Sequence, residues 1–291
     1  MATADDNAQD IGPTARRIIL GTQLRKLRED AGVSRQEAGY SIRGSDSKIS
    51  RMEHGEVSFK ERDVRDLITM YGVHDKEEFA HYLEFAKQSN QPGWWRQFND
   101  VMPSWLNDLV GLEEATTLIQ AYELVFVNGL LQTEEYARAI SANGRPNASA
   151  DDVEKRVAIK MRRQKVLMRP DAPRLWAVMD ESVLHRPVGG SRVQREQLEH
   201  LLELDNRPNI TLQVVPNAVS GYAGETPFCV LRFAEKELPN LVYIENAAEA
   251  NYLDQPAKTE PHIRAFDRLM VDAHTPERTK QTLNKLRNEL K

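Results

Sequence analysis

The chain has 291 residues, of which 40% are hydrophobic and 29% are charged, and its formal net charge is −5. This length and composition permit two domains with ordinary packed cores, and because no run of about 18 apolar residues occurs, no membrane-spanning helix is expected. The single cysteine, Cys229, excludes an internal disulfide and a cluster of thiolate metal ligands, so a reducing cytoplasm is the expected compartment.

The N-terminal residues are predicted to be a short lead followed by a helix. Residues 1–13 are acidic and lack the basic and apolar regions of a signal peptide, so we expect a disordered segment. From Thr14 to Asp30, apolar residues that include Leu20, Leu24 and Leu27 recur at helical spacing. This pattern predicts the first helix of a domain.

The segment from Ser34 to Gly55 has the pattern of two short helices joined by a tight turn. Ser34 and Glu37 form a capping box that starts the first helix. Ser45 caps the second helix, which ends near residue 54, before the left-handed residue that Gly55 supplies. The segment therefore predicts a helix-turn-helix.

The second of these helices has one apolar face, formed by Ile49 and Met52. Its opposite face presents short hydroxyls, an arginine and a histidine: Ser47, Ser50, Arg51 and His54. Such a helix suits the DNA major groove, which admits one α-helix. Spacing alone leaves an alternative, which is a solvated helix in an ordinary bundle.

The distribution of charge favours a nucleic-acid partner for this part of the chain. Residues 14–65 contain 12 Lys and Arg against 8 Asp and Glu, a net charge of +4, and the remainder carries −9. A basic N-terminal segment followed by an acidic remainder is typical of a DNA-binding module with an attached control domain.

Two further helices, over residues 61–71 and 76–87, complete a predicted all-α domain of about five helices at residues 14–88. Residues 89–93, Ser-Asn-Gln-Pro-Gly, are turn formers and are predicted to be a linker. Residues 94–291 then form the predicted C-terminal domain.

The C-terminal domain begins with a cluster of aromatic residues, Trp94, Trp95 and Trp105. Together with Tyr122 and Tyr136 they are candidates for a ligand or partner surface. Core packing is the alternative use of such large side chains.

Helical and strand patterns alternate over the rest of the chain. The predicted helices span residues 111–122, 133–142, 149–168, 192–205, 262–272 and 276–290. The predicted strands span residues 175–179, 210–215, 228–233 and 241–244. These elements predict an α+β fold in which helices gather against a small, mainly antiparallel sheet.

Few residues of the C-terminal domain indicate chemistry. Asp180, Glu181 and His185 are close enough in sequence for a metal or acid–base pair, but carboxylates at a strand end also cap the next turn. Cys229 lies within an apolar strand, where a free thiol is usually a small hydrophobe. We therefore expect no catalytic residue, metal or cofactor, and an enzyme domain stays an alternative.

The segment from Leu24 to Gly55 resembles the Xre family of repressors, typified by phage Cro. The matching positions are Ser45, Ser47, Ile49, Ser50, Arg51, Met52, Glu53 and Gly55. The usual Leu, Ala, turn Gly and Gln are replaced here, by Ala38, Gly39, Arg43 and Arg35 respectively. Since Gly lowers helix propensity by about 1 kcal/mol, we expect a less stable domain than in relatives.

This resemblance implies a lambda-repressor-like domain with assigned DNA contacts. The residues implied to face base edges are Asp46, Ser47 and Arg51. Those implied to touch phosphates are Arg35, Ser45, Lys48, Ser50 and His54. It also implies a buried ion pair between Arg28 and Glu53, and a homodimer on a palindromic double-stranded operator.

The C-terminal domain resembles that of WhiJ-like actinobacterial regulators. The resemblance is carried by residues 129–138, 175–181, 186–190, 207–216 and 265–269. This sequence has Val127-Asn128 where the family usually has Val-Pro. It implies an antitoxin-like, cytoplasmic and nucleoid-associated transcription regulator of development or secondary metabolism, with no membrane partner.

By the same resemblance, the C-terminal domain would sense a small neighbour-encoded partner protein or a ligand. Two alternatives stay open: a C-terminal enzyme that is tethered to DNA, or a pure protein-interaction module.

Overall fold

The chain divides into two compact units, which are considered separately. The computed structural model describes residues 12–144, 148–219, 225–236, 238–246 and 249–290. The first unit comprises residues 1–96, 110–115 and 234–238, and the second comprises residues 97–109, 116–233 and 239–291. Most of the predicted N-terminal lead, residues 1–11, lies outside the described residues, whereas Gly12 is buried and Pro13 begins a helix.

The first unit contains the predicted helical region. Its helices are α1 (Pro13–Asp30), α2 (Arg35–Ser41), α3 (Asp46–Glu53), α4 (Glu61–Met70) and α5 (Lys76–Ser89). Helix α1 packs against α3, α4 and α5, so that Leu20, Ile49 and Leu67 share one apolar core. The predicted N-terminal region of about five helices is confirmed.

The capping signals read from the sequence form as predicted. The Ser34 hydroxyl accepts a hydrogen bond from the Glu37 amide at 3.2 Å, and the Ser34 amide donates to the Glu37 carboxylate at 2.8 Å. Ser45 accepts from the Lys48 amide at 3.2 Å. Gly55, with a φ of +69°, ends the segment in the left-handed conformation.

Gly39 is required by the close approach of α2 to the start of α3. A Cβ atom at this position would lie 2.8 Å from the carbonyl carbon of Ser45 and 3.0 Å from its oxygen. Because both atoms are backbone, the contact is relieved only if one helix moves. Gly39 therefore allows close helix packing, although it lowers the helix propensity of α2.

Gly39→Ala is expected to destabilise the first unit by about 1 kcal/mol. Overpacking costs about 1–3 kcal/mol, and the gain of about 1 kcal/mol in helix propensity offsets only part of it. Hydrogen exchange of the α2 and α3 amides in the full chain measures the change. Gln36→Ala, an exposed site on the same helix, is the matched control, and a stabilised Gly39→Ala variant would contradict the packing argument.

The second unit is built on a six-stranded mixed sheet in which antiparallel pairs outnumber parallel ones. Its strands are β1 (Thr116–Glu123), β2 (Arg174–Asp180), β3 (Ile210–Val215), β4 (Phe228–Phe233), β5 (Leu241–Glu245) and β6 (Ala250–Leu253). The strand order is β3-β2-β1-β4-β5-β6. Strands β3, β2 and β1 are parallel, whereas β4, β5 and β6 join by antiparallel pairing. The predicted α+β class is confirmed.

The helix predicted over residues 111–122 is wrong in its second half. Helix α6 (Ser104–Ala115) ends at Ala115. The chain then continues directly as the central strand β1, so residues 116–122 are strand rather than helix. Residues 119–122 of β1 are all buried, Gln120 included, so the strand does not show the alternation of buried and exposed residues that marks a half-buried strand. Such a run directly after a helix cannot be assigned by periodicity alone.

The remaining helices of the second unit agree with the predicted pattern except at their ends, apart from the short helix α9, which was not predicted. They are α7 (Glu134–Asn143), α8 (Ala150–Gln164), α9 (Glu181–His185), α10 (Ser191–Leu204), α11 (Pro256–Asp272) and α12 (Pro276–Glu289). The helix predicted from residue 262 begins six residues earlier, at Pro256, whose ring suits the first helical position. Strand β6 was not predicted.

Helix α11 covers one face of the sheet. Phe266 and Leu269 pack there against Tyr122, Val178 and Phe228. Within the described ranges, no helix combines the length and the apolar character that a bilayer crossing requires.

Candidate nucleic-acid interface

The turn between α2 and α3 contains a residue other than glycine in a left-handed conformation. Arg43 has a φ of +53°, and its amide donates to the Tyr40 carbonyl at 3.0 Å. The next amide, of Gly44, donates to the Gly39 carbonyl at 2.8 Å. These bonds close the turn and fix the angle at which α3 leaves α2.

Arg43→Gly is expected to stabilise the first unit by about 0.5–1 kcal/mol, because glycine adopts this conformation without the steric penalty of a Cβ atom. The change is measured by hydrogen exchange of the α2 and α3 amides. Arg43→Ala keeps the Cβ atom and serves as the control, for which no gain is expected. An equal gain in both variants would attribute the effect to the arginine side chain instead.

Helix α3 presents the polar face that its sequence predicts. Ile49 and Met52 are 1% and 2% exposed and belong to the core of the first unit. The three residues predicted to contact bases, Asp46, Ser47 and Arg51, are all exposed. The apolar side of α3 is therefore packed in the core of the first unit, and its polar side is accessible to a ligand.

Side chains of the predicted interface also contact one another. Nε of Arg35 lies 3.4 Å from the Asp46 carboxylate, and the same guanidinium donates to the Ser50 hydroxyl at 3.4 Å. Nε of Arg51 lies 3.9 Å from a carboxylate oxygen of Glu56, and the Arg51 side chain is 61% exposed. Exposed pairs of this kind contribute about 0–1 kcal/mol, so DNA can replace them at small cost.

Two predicted phosphate contacts lie at the ends of α3. Ser45 is the N-cap residue, so its hydroxyl oxygen is occupied by the Lys48 amide while its proton can still be donated. His54 follows the last helical turn, and its Nδ1 lies 2.6 Å from the Ser50 carbonyl oxygen. When Nδ1 donates this bond, Nε2 is the ring nitrogen left for a ligand.

A buried ion pair ties the end of α3 to α1. Nε of Arg28 lies 2.5 Å from one Glu53 carboxylate oxygen, and a second guanidinium nitrogen lies 3.2 Å from the other oxygen. Arg28 also donates to the Val33 carbonyl at 3.0 Å. The hydrogen bond that Arg28 donates to Glu53 raises the pKa of Arg28, against the effect of burial. The pair implied by the Xre resemblance is thus present, with bidentate geometry.

Lys48, predicted to contact a phosphate, has a carboxylate partner inside the first unit. Its ammonium lies 2.5 Å from Oδ2 of Asp63, whose side chain is 1% exposed, and Arg62 contacts the other oxygen at 3.2 Å. Burial alone would raise the pKa of Asp63, but hydrogen bonds from Lys48 and Arg62 hold it below its ordinary value. A phosphate must therefore compete with a buried carboxylate for this ammonium.

Asp63→Asn is expected to make the stability of the first unit less dependent on acid pH. Because the pKa of Asp63 is lower in the folded chain, its stabilising effect is complete above about pH 4 and is lost as pH falls through the folded value. Hydrogen exchange of the α4 amides and thermal unfolding between pH 2 and 7 test this. Asp66→Asn, on the same helix, is the control, and identical pH profiles would contradict the assignment.

Sequence reasoning missed two residues near the interface. Asp63 lies in the first turn of α4, where a carboxylate is usually explained by the helix dipole, so nothing local indicated its ion pair. Tyr40, near the end of α2, is 87% exposed, although aromatic side chains are usually buried.

The aromatic residues proposed as a ligand or partner surface are mostly packed inside their own units. Trp95, Tyr122 and Tyr136 are 6%, 1% and 0% exposed, so these three cannot form an accessible surface and their prediction is corrected. The cause is the packing that large aromatics generally seek. Trp94 donates to the Glu114 carboxylate at 2.8 Å, and Trp105 is half-buried.

The acidic residues after β2 have structural contacts. Asp180 caps α9 by accepting from the Ser182 amide at 2.9 Å. Glu181 accepts from the Asn217 amide at 2.8 Å, and its other oxygen lies 3.5 Å from Nε2 of His185. An open cavity of about 410 Å³ is lined by Ser182, His185, Arg186 and Asn217.

Within the described parts of the chain, no group of three or more His, Cys, Asp or Glu residues is placed to hold a metal ion. The hydrogen bonds after β2 are those of a capped turn.

Two family models match separate parts of the chain. Residues 19–81 match a model described as a helix-turn-helix domain, and residues 106–285 match a model described as a domain of unknown function, DUF5753. No curated protein and no solved structure matches the chain. The first match includes all of α2 and α3, whereas the WhiJ-like type and the antitoxin-like role stay predictions.

Proposed function

Because this chain belongs to the DUF5753 family and carries a helix-turn-helix domain ahead of that match, we propose that it is a sequence-specific DNA-binding transcription regulator. The observation that carries the proposal is the exposed polar face of α3 on a helix whose other face is held in the core. An arginine on such a helix can read guanine with two hydrogen bonds in the major groove.

The proposed contacts divide into base readout and backbone positioning. Arg51 reads a base edge, with Ser47 beside it, and Asp46 accepts from cytosine. Arg35 at the start of α2 and His54 after the last turn of α3 touch phosphates, since both side chains are exposed. The net charge of +4 over residues 14–65 supports association with DNA, despite the acidic remainder.

We further propose a homodimer that binds two half-sites about 34 Å apart, since a helix-turn-helix monomer reads only one half-site. The support is the Xre-like pattern of α2 and α3. Association of two copies would also raise affinity by linking two binding events.

The C-terminal unit is proposed to receive a signal from a small neighbour-encoded protein or a ligand, in an antitoxin-like, nucleoid-associated regulator of development or secondary metabolism. The support is the WhiJ-like resemblance of its sequence segments. No catalytic role is proposed for it, since Asp180 has a capping role.

The test is a fluorescence anisotropy titration of the full chain at about 150 mM salt. The probes are DNA from upstream of its own gene and a scrambled duplex of the same composition, each with and without the neighbour-encoded small protein. We expect at least about 100-fold preference for the upstream DNA, altered by the partner. Equal weak binding to both duplexes would overturn sequence-specific regulation, and a preference that the partner leaves unchanged would overturn the partner's role.

A further inference from the structure

The carboxyl ends of the three parallel strands meet at one edge of the second unit. The register places Glu123, Met179 and Val214 side by side across β1, β2 and β3, so the chain leaves all three strands at the same level. Phe126 follows β1, the short helix α9 follows β2, and Asn217 follows β3. In open sheets with parallel strands, ligands generally bind at this edge.

The open cavity beside α9 lies at the same edge. Its lining residues belong to the segments that follow β2 and β3, and they are Ser182, His185, Arg186 and Asn217. Its volume of about 410 Å³ falls within the range of about 300–1,000 Å³ that is typical of small-molecule sites. The cavity with these four lining residues is called the strand-end pocket below.

The two carboxylates beside the strand-end pocket are bonded to its framework. Asp180 accepts hydrogen bonds from the Ser182 amide, at 2.9 Å, and from the Ser182 hydroxyl. Glu181 accepts from the Asn217 amide at 2.8 Å, and this bond ties the segment after β3 to α9. The other oxygen of Glu181 lies 3.5 Å from Nε2 of His185. The rim of the pocket is therefore held in place, and both carboxylates already have donors.

Arg186 and Asn217 bring uncommitted hydrogen-bond donors to the pocket. The guanidinium of Arg186 carries five N–H donors, and no acceptor contacts it among the residues that the structure describes. Its central carbon lies 5.9 Å from the centroid of the Phe126 ring, and this cation–π contact occupies none of the N–H donors. In the same part of the chain, Asn217 uses its backbone amide and leaves its side-chain amide without a partner. These donors are the groups that an anion requires.

Phe126 provides an accessible apolar surface beside this guanidinium. The residue is 37% exposed, although large aromatic side chains are usually buried. Because Arg186 both contacts the ring and lines the pocket, the ring lies next to the pocket. An exposed ring beside an uncommitted guanidinium suits a ligand that has a flat apolar body and an acidic group.

We propose that the strand-end pocket binds a small planar organic acid that carries a single negative charge. Arg186 holds the carboxylate through two parallel hydrogen bonds, the side-chain amide of Asn217 donates a third, and the ring of the ligand packs on Phe126. Glu181 disfavours a dianion, since its own carboxylate lies on the rim of the pocket and repels a second negative charge.

This inference rests on the proposed function and deepens it, since it names the class of signal that the C-terminal unit would receive. It is tested without DNA, so that a failure of ligand binding is distinguished from a failure of operator binding. The probes are indole-3-acetate and indole-3-acetamide, which have nearly the same shape and differ in charge.

The experiment is ligand-observed NMR on the full chain at about pH 7. We expect saturation transfer to indole-3-acetate but not to indole-3-acetamide, and at least about tenfold weaker indole-3-acetate binding in Arg186→Gln. Arg192→Gln replaces a nearby exposed arginine that is paired with Glu196, so it is the matched control and should bind as the wild type does. Equal transfer to both probes, or unchanged binding in Arg186→Gln, would overturn the proposal.

A second measurement uses the wild-type chain alone, so it does not depend on the folding of a variant. Phenylglyoxal modifies accessible guanidinium groups, and Arg186 and Arg192 are both exposed. Indole-3-acetate is expected to protect Arg186 and not Arg192, as read by peptide mass spectrometry. No protection overturns the site, and stronger protection by inorganic phosphate overturns the carboxylate assignment. Stronger protection by the tripeptide Gly-Gly-Trp would replace the small acid with the carboxyl terminus of a protein.

Discussion

Replacing Glu53 with Ala is expected to lower the free energy of unfolding of the first unit by about 3–5 kcal/mol. The substitution leaves the Arg28 guanidinium beneath the surface without the carboxylate that it contacts at 2.5 and 3.2 Å. An uncompensated buried charge is far more unfavourable than the loss of an exposed pair. The effect should reach both α1 and α3, because the ion pair joins these helices.

Hydrogen exchange of the α1 and α3 amides in the full chain measures this loss without assuming that both units unfold together. Glu56→Ala removes an exposed carboxylate a few residues away and is expected to change stability by less than about 0.5 kcal/mol. The double variant Arg28→Met with Glu53→Leu removes both charges and should recover more than half of the loss. Equal exchange rates in Glu53→Ala and Glu56→Ala would contradict the predicted contribution of the Arg28–Glu53 ion pair to the stability of the first unit.

Replacing Arg51 with Ala is expected to weaken binding to selected DNA by about 1–3 kcal/mol, or roughly 5- to 150-fold, and to relax the preference at one base position. The reason is that Arg51 is the exposed arginine on the polar face of α3, and its side chain lies 3.9 Å from the exposed carboxylate of Glu56. Its removal deletes a bidentate donor while the core of the unit is untouched.

The measurement is selection of binding sites from a random duplex library with the wild type, followed by titration of the variant on the selected and mutated sites. Arg35→Ala is the matched control: as a proposed phosphate contact it should weaken binding to all sequences similarly and reduce the salt dependence by about one counterion. Unchanged affinity and preference in Arg51→Ala would remove this residue from base readout.

The helix-turn-helix was predictable because its signals are local. The hydroxyls of Ser34 and Ser45 bond to amides three residues away, and Gly55 adopts its left-handed conformation at the helix end, so the sequence carries each boundary within one turn. The pairing of Arg28 with Glu53 is not local and was expected only from the resemblance to repressors.

The central strand could not be predicted in the same way. Strand β1 follows α6 without a turn residue, and its buried and exposed residues do not alternate, so its pattern fits a helix as well as a strand. Its conformation depends on β2 and β4, which are distant in sequence and supply its hydrogen-bond partners. Gly39 illustrates the same limit, since its helix propensity predicted a weakness where packing requires the absence of a side chain.

The sequence alone determined the fold class, the helix-turn-helix and the polar face of α3, because periodicity and capping act over a few residues. Only the tertiary structure decided which charges meet. Lys48 pairs with Asp63 across two helices, and Glu123 and Glu245 reach one edge of the sheet from positions 122 residues apart. Such contacts depend on helix packing and strand register, which no short stretch of sequence specifies.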